Sequence, residues 1–195
     1  MFGFNVDGVG DYNQDGKPDI VVGAPAGVIL GPGSFLGGSA YVYNGTGIST
    51  IVNPNIGTQL KARANLTDTV ANLFGYSVRG VRNTLGNRDG SILAGAPADS
   101  VLSNVVGGLR LKAGSVNVFV RTASPGASQL PTQRIPSPRG NFLLSILNNQ
   151  ILNVSSLFGA SLDNMLDVNC DGINDIIVGE PLSTAVGLVN ANAVG

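Results

Sequence analysis

Residues 11–25 read Asp11-Tyr12-Asn13-Gln14-Asp15-Gly16-Lys17-Pro18-Asp19-Ile20-Val21-Val22-Gly23-Ala24-Pro25. An acidic, glycine-containing loop runs straight into a β-branched stretch and stops at Gly-Ala-Pro, the pattern of a buried strand entered from a tight turn. Upstream stands Phe2-Gly3, and the frame recurs twice. Phe74-Gly75 leads to Gly95-Ala96-Pro97 and Phe158-Gly159 to Gly179-Glu180-Pro181, with 23 residues from Phe to Pro in every copy. A unit of this size cannot bury its apolar face alone and has to stack on its neighbours. The chain is therefore read as a repeat array.

The acidic loop of the first copy returns in the third as Asp167-Val168-Asn169-Cys170-Asp171-Gly172-Ile173-Asn174-Asp175. Both are D-x-N-x-D-G-x-x-D. Oxygen ligands fall at loop positions 1, 3, 5 and 9, and the carbonyl of position 7 completes the set. The expected ligands are Asp11, Asn13, Asp15 and Asp19 with the Lys17 carbonyl, and Asp167, Asn169, Asp171 and Asp175 with the Ile173 carbonyl. Hard oxygen donors around a glycine-permitted turn suit Ca²⁺, which takes six to eight oxygens, and three carboxylates crowded together repel one another without a cation. The same residue types also build plain surface turns; two copies at one offset from Phe-Gly favour the ion, so two Ca²⁺ sites are expected. An EF-hand is excluded because position 12 is Val22 or Val178 rather than Glu, and a strand, not a helix, follows each loop.

These residues resemble the FG-GAP repeats of the integrin α-subunit β-propeller and its bacterial relatives. The resemblance rests on Phe-Gly, the acidic loop, Gly-Ala-Pro and a later Gly-Ser-x-x-Val-aromatic strand, present as Gly38-Ser39-Ala40-Tyr41-Val42-Tyr43 and Gly114-Ser115-Val116-Asn117-Val118-Phe119. It implies an all-β chain of propeller blades, each of four antiparallel strands, with Phe-Gly opening the innermost. The expected units are a blade with a calcium loop over residues 1–72, a blade with a degenerate loop over 73–155, and part of a blade with a calcium loop over 156–195. Two and a half blades do not close a ring, since propellers have typically four to eight. The expectation is a piece of a larger ring, completed by further blades of the same polypeptide or by another subunit at its exposed strand edges. Val21, Val178 and Leu162 are expected in the contacts between blades.

The middle repeat departs from the pattern: loop positions 1, 3, 5 and 9 become Asn83, Leu85, Asn87 and Ser91, and Asp89 is a poor ligand alone. Arg79, Arg82 and Arg88 lie in the same stretch, and a guanidinium can cross-link carbonyls much as an ion does. This blade tip is expected to hold without calcium. Asp7 and Asp163 stand five residues after their Phe and read either as supports of the acidic loops or as turn residues. The Pro- and Ser-rich residues 122–139 read as a surface insertion, and 142–152 as an outer strand.

Composition narrows the function. There are 28 Gly and 10 Pro in 195 residues, with 12% charged residues and a net charge of −1, so nothing marks a nucleic-acid footprint. No apolar run reaches the roughly 18–20 residues of a membrane helix. The chain has no His to activate Cys170 or to form a Ser-His-Asp triad, and the paired carboxylates belong largely to the loops, so no enzyme is expected. Cys170, at a non-ligand position, should face outward. Sequons stand at Asn44, Asn65 and Asn153. Two classes follow from the resemblance: a calcium-stabilised propeller segment of a secreted or cell-surface protein, working in adhesion, protein–protein interaction or surface assembly with a protein or glycan ligand; or the non-catalytic propeller part of an extracellular hydrolase or lipase whose catalytic residues lie outside this chain.

Overall fold

The computed structural model describes residues 1–26, 38–43, 45, 58–60, 72–82, 90–99, 101–102, 109–110, 113–120, 131–138, 144–147, 150–152, 156–164, 167–182, 184–186 and 191–193. Every regular element among them is a strand. The first sheet has the order β1 (Asn5–Gly10), β2 (Asp19–Ala24), β3 (Ser39–Tyr43), β4 (Thr58–Leu60), antiparallel throughout. The second runs β5 (Val78–Val81), β6 (Ser91–Ala96), β9 (Ser115–Val120), β10 (Gln133–Pro136). The third repeat contributes the hairpin of β13 (Ser161–Asn164) and β14 (Ile176–Gly179). Three further two-stranded sheets pair β7 (Val101–Leu102) with β8 (Leu109–Arg110), β11 (Leu144–Leu147) with β12 (Gln150–Leu152), and β15 (Thr184–Val186) with β16 (Ala191–Ala193).

The fixed Phe-to-Pro spacing has a hydrogen bond behind it. In each repeat the amide of the Phe-Gly glycine donates to the carbonyl of the Gly-Ala-Pro or Gly-Glu-Pro glycine: Gly3 to Gly23 at 3.1 Å, Gly75 to Gly95 at 2.9 Å, Gly159 to Gly179 at 3.0 Å. The two sequence marks are the two ends of one hairpin.

The core lies between repeats rather than within them. One apolar cluster joins Val9, Tyr12, Val21 and Val42 of the first repeat to Phe74, Val78, Ile92 and Phe119 of the second. Another joins Val81, Leu93, Val116 and Val118 of the second sheet to Phe158 and Leu162 of the third repeat, with Ile176 and Val178 packed against it. Phe74 is wholly buried, its ring 5.9 Å from that of Phe119. Of the three residues expected in such contacts, Val21 and Leu162 are buried and Val178 is half-buried.

Glycine makes this stacking close. A Cβ on Gly23 would lie 2.1 Å from the Gly75 carbonyl oxygen, and one on Gly95 would lie 2.0 Å from that of Gly159. Gly38 and Gly114 likewise abut the Phe74 and Phe158 carbonyls. The Phe-Gly of one repeat is thus seated between the Gly-Ala-Pro and Gly-Ser glycines of the repeat before it, an approach only backbone without a side chain permits.

Two expectations need correction. Within residues 122–139, read as a surface insertion, Gln133–Pro136 is β10, the outer strand of the second sheet, followed by buried Ser137. Residues 144–147 and 150–152, expected in that outer position, form a separate hairpin. Outer strands carry a weak sequence signal, because only one edge and part of one face are packed.

Candidate functional site

The two acidic loops join β1 to β2 and β13 to β14, and their internal hydrogen bonds repeat each other. In the first, Asp11 accepts the amides of Asp15 and Gly16, both at 2.9 Å, and Asn13 Oδ1 accepts the same Asp15 amide at 2.9 Å. Asp15 Oδ1 accepts Lys17 N at 2.9 Å. In the third repeat Asp167 accepts Asp171 N and Gly172 N at 3.0 and 2.6 Å, Asn169 Oδ1 accepts Asp171 N at 2.9 Å, and Asp171 Oδ1 accepts Ile173 N at 2.8 Å. Positions 1 and 3 share one amide in both loops, so their oxygens are near neighbours. The turn depends on left-handed backbone at loop positions 4 and 6: φ is 59° at Gln14 and 61° at Cys170, 85° at Gly16 and 84° at Gly172. Cys170 is exposed, with its thiol free.

Position 9 distinguishes the loops. Asp19 is 1% exposed and accepts Tyr12 N, Asn13 N and Gly45 N at 2.9, 3.1 and 2.9 Å, tying the loop to the turn beyond β3. Burial pushes its carboxyl above the ordinary value against the pull of those amides, and the nearby Asp15 charge adds to the rise. Asp175 is half-buried and accepts Val168 N at 2.8 Å.

The donor set is all oxygen, in the kinds and order a hard cation takes. The carboxylates are turned to the loops' own amides, and among the described residues no three acidic, His or Cys side chains gather into a ligand cluster. Asn83, Leu85, Asn87, Arg88 and Asp89 of the middle loop lie outside the described residues, as do the sequons at Asn44, Asn65 and Asn153. Ser91 begins β6 and is buried.

A second constellation was hidden in the sequence. Asp7, Arg79 and Asp163 all stand five residues after their Phe, on the three inner strands β1, β5 and β13. Arg79 Nη1 lies 3.8 Å from Asp7 Oδ2, and its Nε lies 3.7 Å from Asp163 Oδ1 while donating to the Leu162 carbonyl at 3.0 Å. Asp7 Oδ2 also accepts Gly80 N at 3.0 Å. Arg79 does cross-link a carbonyl, but in the next repeat rather than in its own loop. Asp7 and Asp163 face Arg79, a role that neither the loop-support nor the turn reading assigned them. Aligning the three positions after Phe would have exposed the alternation. Nearby, Phe4, Asn5, Tyr76, Ser77, Ala160 and Ser161 line a small cleft of about 170 Å³ across the same strands.

The second sheet carries a buried polar lock. Asp99, 3% exposed, accepts Arg134 Nε at 3.0 Å and takes further bonds from Arg134 Nη2 and Ser115 Oγ on the same Oδ2. Outer strand β10 is thereby tied to the turn after Gly-Ala-Pro.

Comparison with known proteins agrees with the geometry. Residues 2–47 match the FG-GAP repeat family model. Integrin alpha-6 of Gallus gallus is 38% identical over 101 residues, 52% of this chain and 8% of its own length. Integrin alpha-7 of Mus musculus is 35% identical over 101 residues, 51% of this chain and 7% of its own. Integrin alpha-7 of Homo sapiens is 33% identical over 103 residues, 52% of this chain and 8% of its own. The matched segment thus spans less than a tenth of those relatives. Residues 2–47 thus fit the FG-GAP repeat, and the all-β chain that carries them is similar, over about half its length, to integrin α subunits.

Proposed function

We propose that the chain is a calcium-stabilised β-propeller segment of a secreted or cell-surface protein, non-catalytic, serving adhesion, protein–protein interaction or surface assembly. Its units are residues 1–72, 73–155 and 156–195. The observation that carries the reading is the agreement of two acidic loops in the backbone bonds accepted at positions 1, 3 and 5, on hairpins of FG-GAP spacing. Asp11, Asn13, Asp15, Asp19 and the Lys17 carbonyl hold one ion; Asp167, Asn169, Asp171, Asp175 and the Ile173 carbonyl hold the other. Bound Ca²⁺ supplies charge compensation and a fixed tip to each hairpin. The chain itself pre-forms the turns through its own amides, so the carboxylates start near their working places.

Sites of this charge count in extracellular modules bind at roughly 10⁻⁴ to 10⁻³ M, which matches millimolar calcium outside cells. At tenfold excess over Kd each ion adds about 1.4 kcal/mol of stability. Scanning calorimetry in calcium against chelator tests this. Asp15→Ala and Asp171→Ala are each expected to remove one ion from the titration stoichiometry, and Asn87→Ala none. Equal effects at all three positions, or no calcium-dependent rise in Tm, would refute the metal reading.

A further inference from the structure

Asp19 is held from two directions, and each of its oxygens answers to a different element. Oδ2 accepts Tyr12 N and Asn13 N, both from the head of its own loop, at 2.9 and 3.1 Å. Oδ1 accepts the amide of Gly45 at 2.9 Å, from the turn beyond β3 and 26 residues away in sequence. An ionised carboxylate offers about four lone-pair sites, shared equally by its oxygens. Those on Oδ2 are therefore taken, whereas Oδ1 keeps one for a cation. Gly45 reaches this oxygen because it has no side chain. A Cβ there would stand 2.0 Å from the Pro18 carbonyl oxygen and 3.5 Å from Lys17 Cβ. The nearer atom is backbone, so an alanine has to drive turn and loop apart. The contact falls between the Lys17 carbonyl and the Asp19 carboxylate, the last two expected ligands of the loop. The turn beyond β3 is thus laid along the half of the loop that closes the ligand shell.

We propose that Gly45 is a positioning residue of the first calcium site: its amide aims Asp19 Oδ1 at the ion, and its bare Cα lets the turn seat against Lys17 and Pro18. The proposal rests on the calcium reading above and adds that this site is set from outside its own loop. Groups that orient a ligand without touching the metal typically control about 10–100-fold of affinity. The linkage is reciprocal. An ion held by Asp19 also holds the turn beyond β3, so calcium here fixes the chain's path out of β3 as well as the tip of the β1–β2 hairpin.

Calorimetric titration with Ca²⁺ in an Asp171→Ala background isolates the first site, and in an Asp15→Ala background the other. Adding Gly45→Ala is expected to raise Kd about 10–100-fold in the former and to leave it within about twofold in the latter. An unchanged Kd at the first site overturns the proposal and leaves the calcium reading standing, even where the Tm without calcium falls, because a merely structural glycine lowers Tm alone. Equal weakening of both sites overturns it as well. Calcium binding in neither parent background refutes the proposal together with the calcium reading. Should Gly45→Ala not fold, the amide resonance of Gly45 itself serves. Titrated with Ca²⁺, it should shift with the affinity of the first site, still doing so in Asp171→Ala and no longer in Asp15→Ala. A Gly45 signal that follows the third-repeat ion, or that ignores calcium while an ion binds, overturns the proposal.

Discussion

Strands β6 and β14 occupy the same place in their repeats, each following the loop and ending at the Gly-x-Pro mark. β6, Ser-Ile-Leu-Ala-Gly-Ala, is buried at all six residues; β14, Ile-Ile-Val-Gly, is half-buried or exposed at all four. The exposed strand is the more apolar of the two, with three large aliphatics in four residues against two in six. What differs is the company, since the middle sheet has a repeat packed on each side and the third hairpin on one. The burial of a strand here is a property of the neighbouring repeat, as stacked arrays require.

The largest break in that comparison should come from the Phe of Phe-Gly. Phe74→Ala removes a wholly buried ring between two sheets and is expected to cost about 3–5 kcal/mol. Phe2→Ala, at a ring 50% exposed, should cost less than about 1 kcal/mol in the isolated chain. Urea unfolding with matched m-values measures both, and equal losses would mean that flank position does not decide burial.

Next in size is the Asp99–Arg134 lock of the second sheet. Arg134→Ala leaves the buried Asp99 carboxylate uncompensated and is expected to cost about 3 kcal/mol, the scale for breaking one side of a buried pair. Loss of amide-exchange protection along residues 115–120 would localise the effect to the β9–β10 edge. Protection lost uniformly over the chain would show that the lock serves the whole array.

The smallest effect belongs to the inner-strand triad. Arg79 and Asp7 are about a third exposed and their ion pair is long, so Arg79→Gln should cost about 0.5–1 kcal/mol. The loss should shrink as salt is added. A salt-independent loss would assign the effect to the Leu162 carbonyl bond instead.

The recurring marks were legible because each answers a backbone need that no other residue meets. Phe-Gly and Gly-Ala-Pro located the first two strands of every repeat, and Gly-Ser-x-x-Val-aromatic located β3 and β9. β9 is buried at five of six positions, because repeats cover both of its faces. The acidic loops were legible as turns, down to an outward Cys170, though its left-handed backbone was not. The outer strand β10 was missed because Gln133-Arg134-Ile135-Pro136 carries polar and Pro residues suited to an edge. The Asp99–Arg134 bridge was illegible, since its partners stand 35 residues apart in sequence. Arg79 was noticed but assigned to its own loop, because carbonyl cross-linking is a short-range idea and its partner strands are 72 and 84 residues away.

That the apolar clusters straddle repeats also sets a timetable for synthesis. Val9 belongs to a cluster that includes Phe119, so the first repeat leaves the ribosome with the face that packs on the second still wet. At 5–20 residues per second the wait is roughly 5–20 s, far longer than the microseconds a hairpin needs to form. The hairpins of the first repeat are then complete but sticky, their apolar residues uncovered for as long as the second repeat is being made.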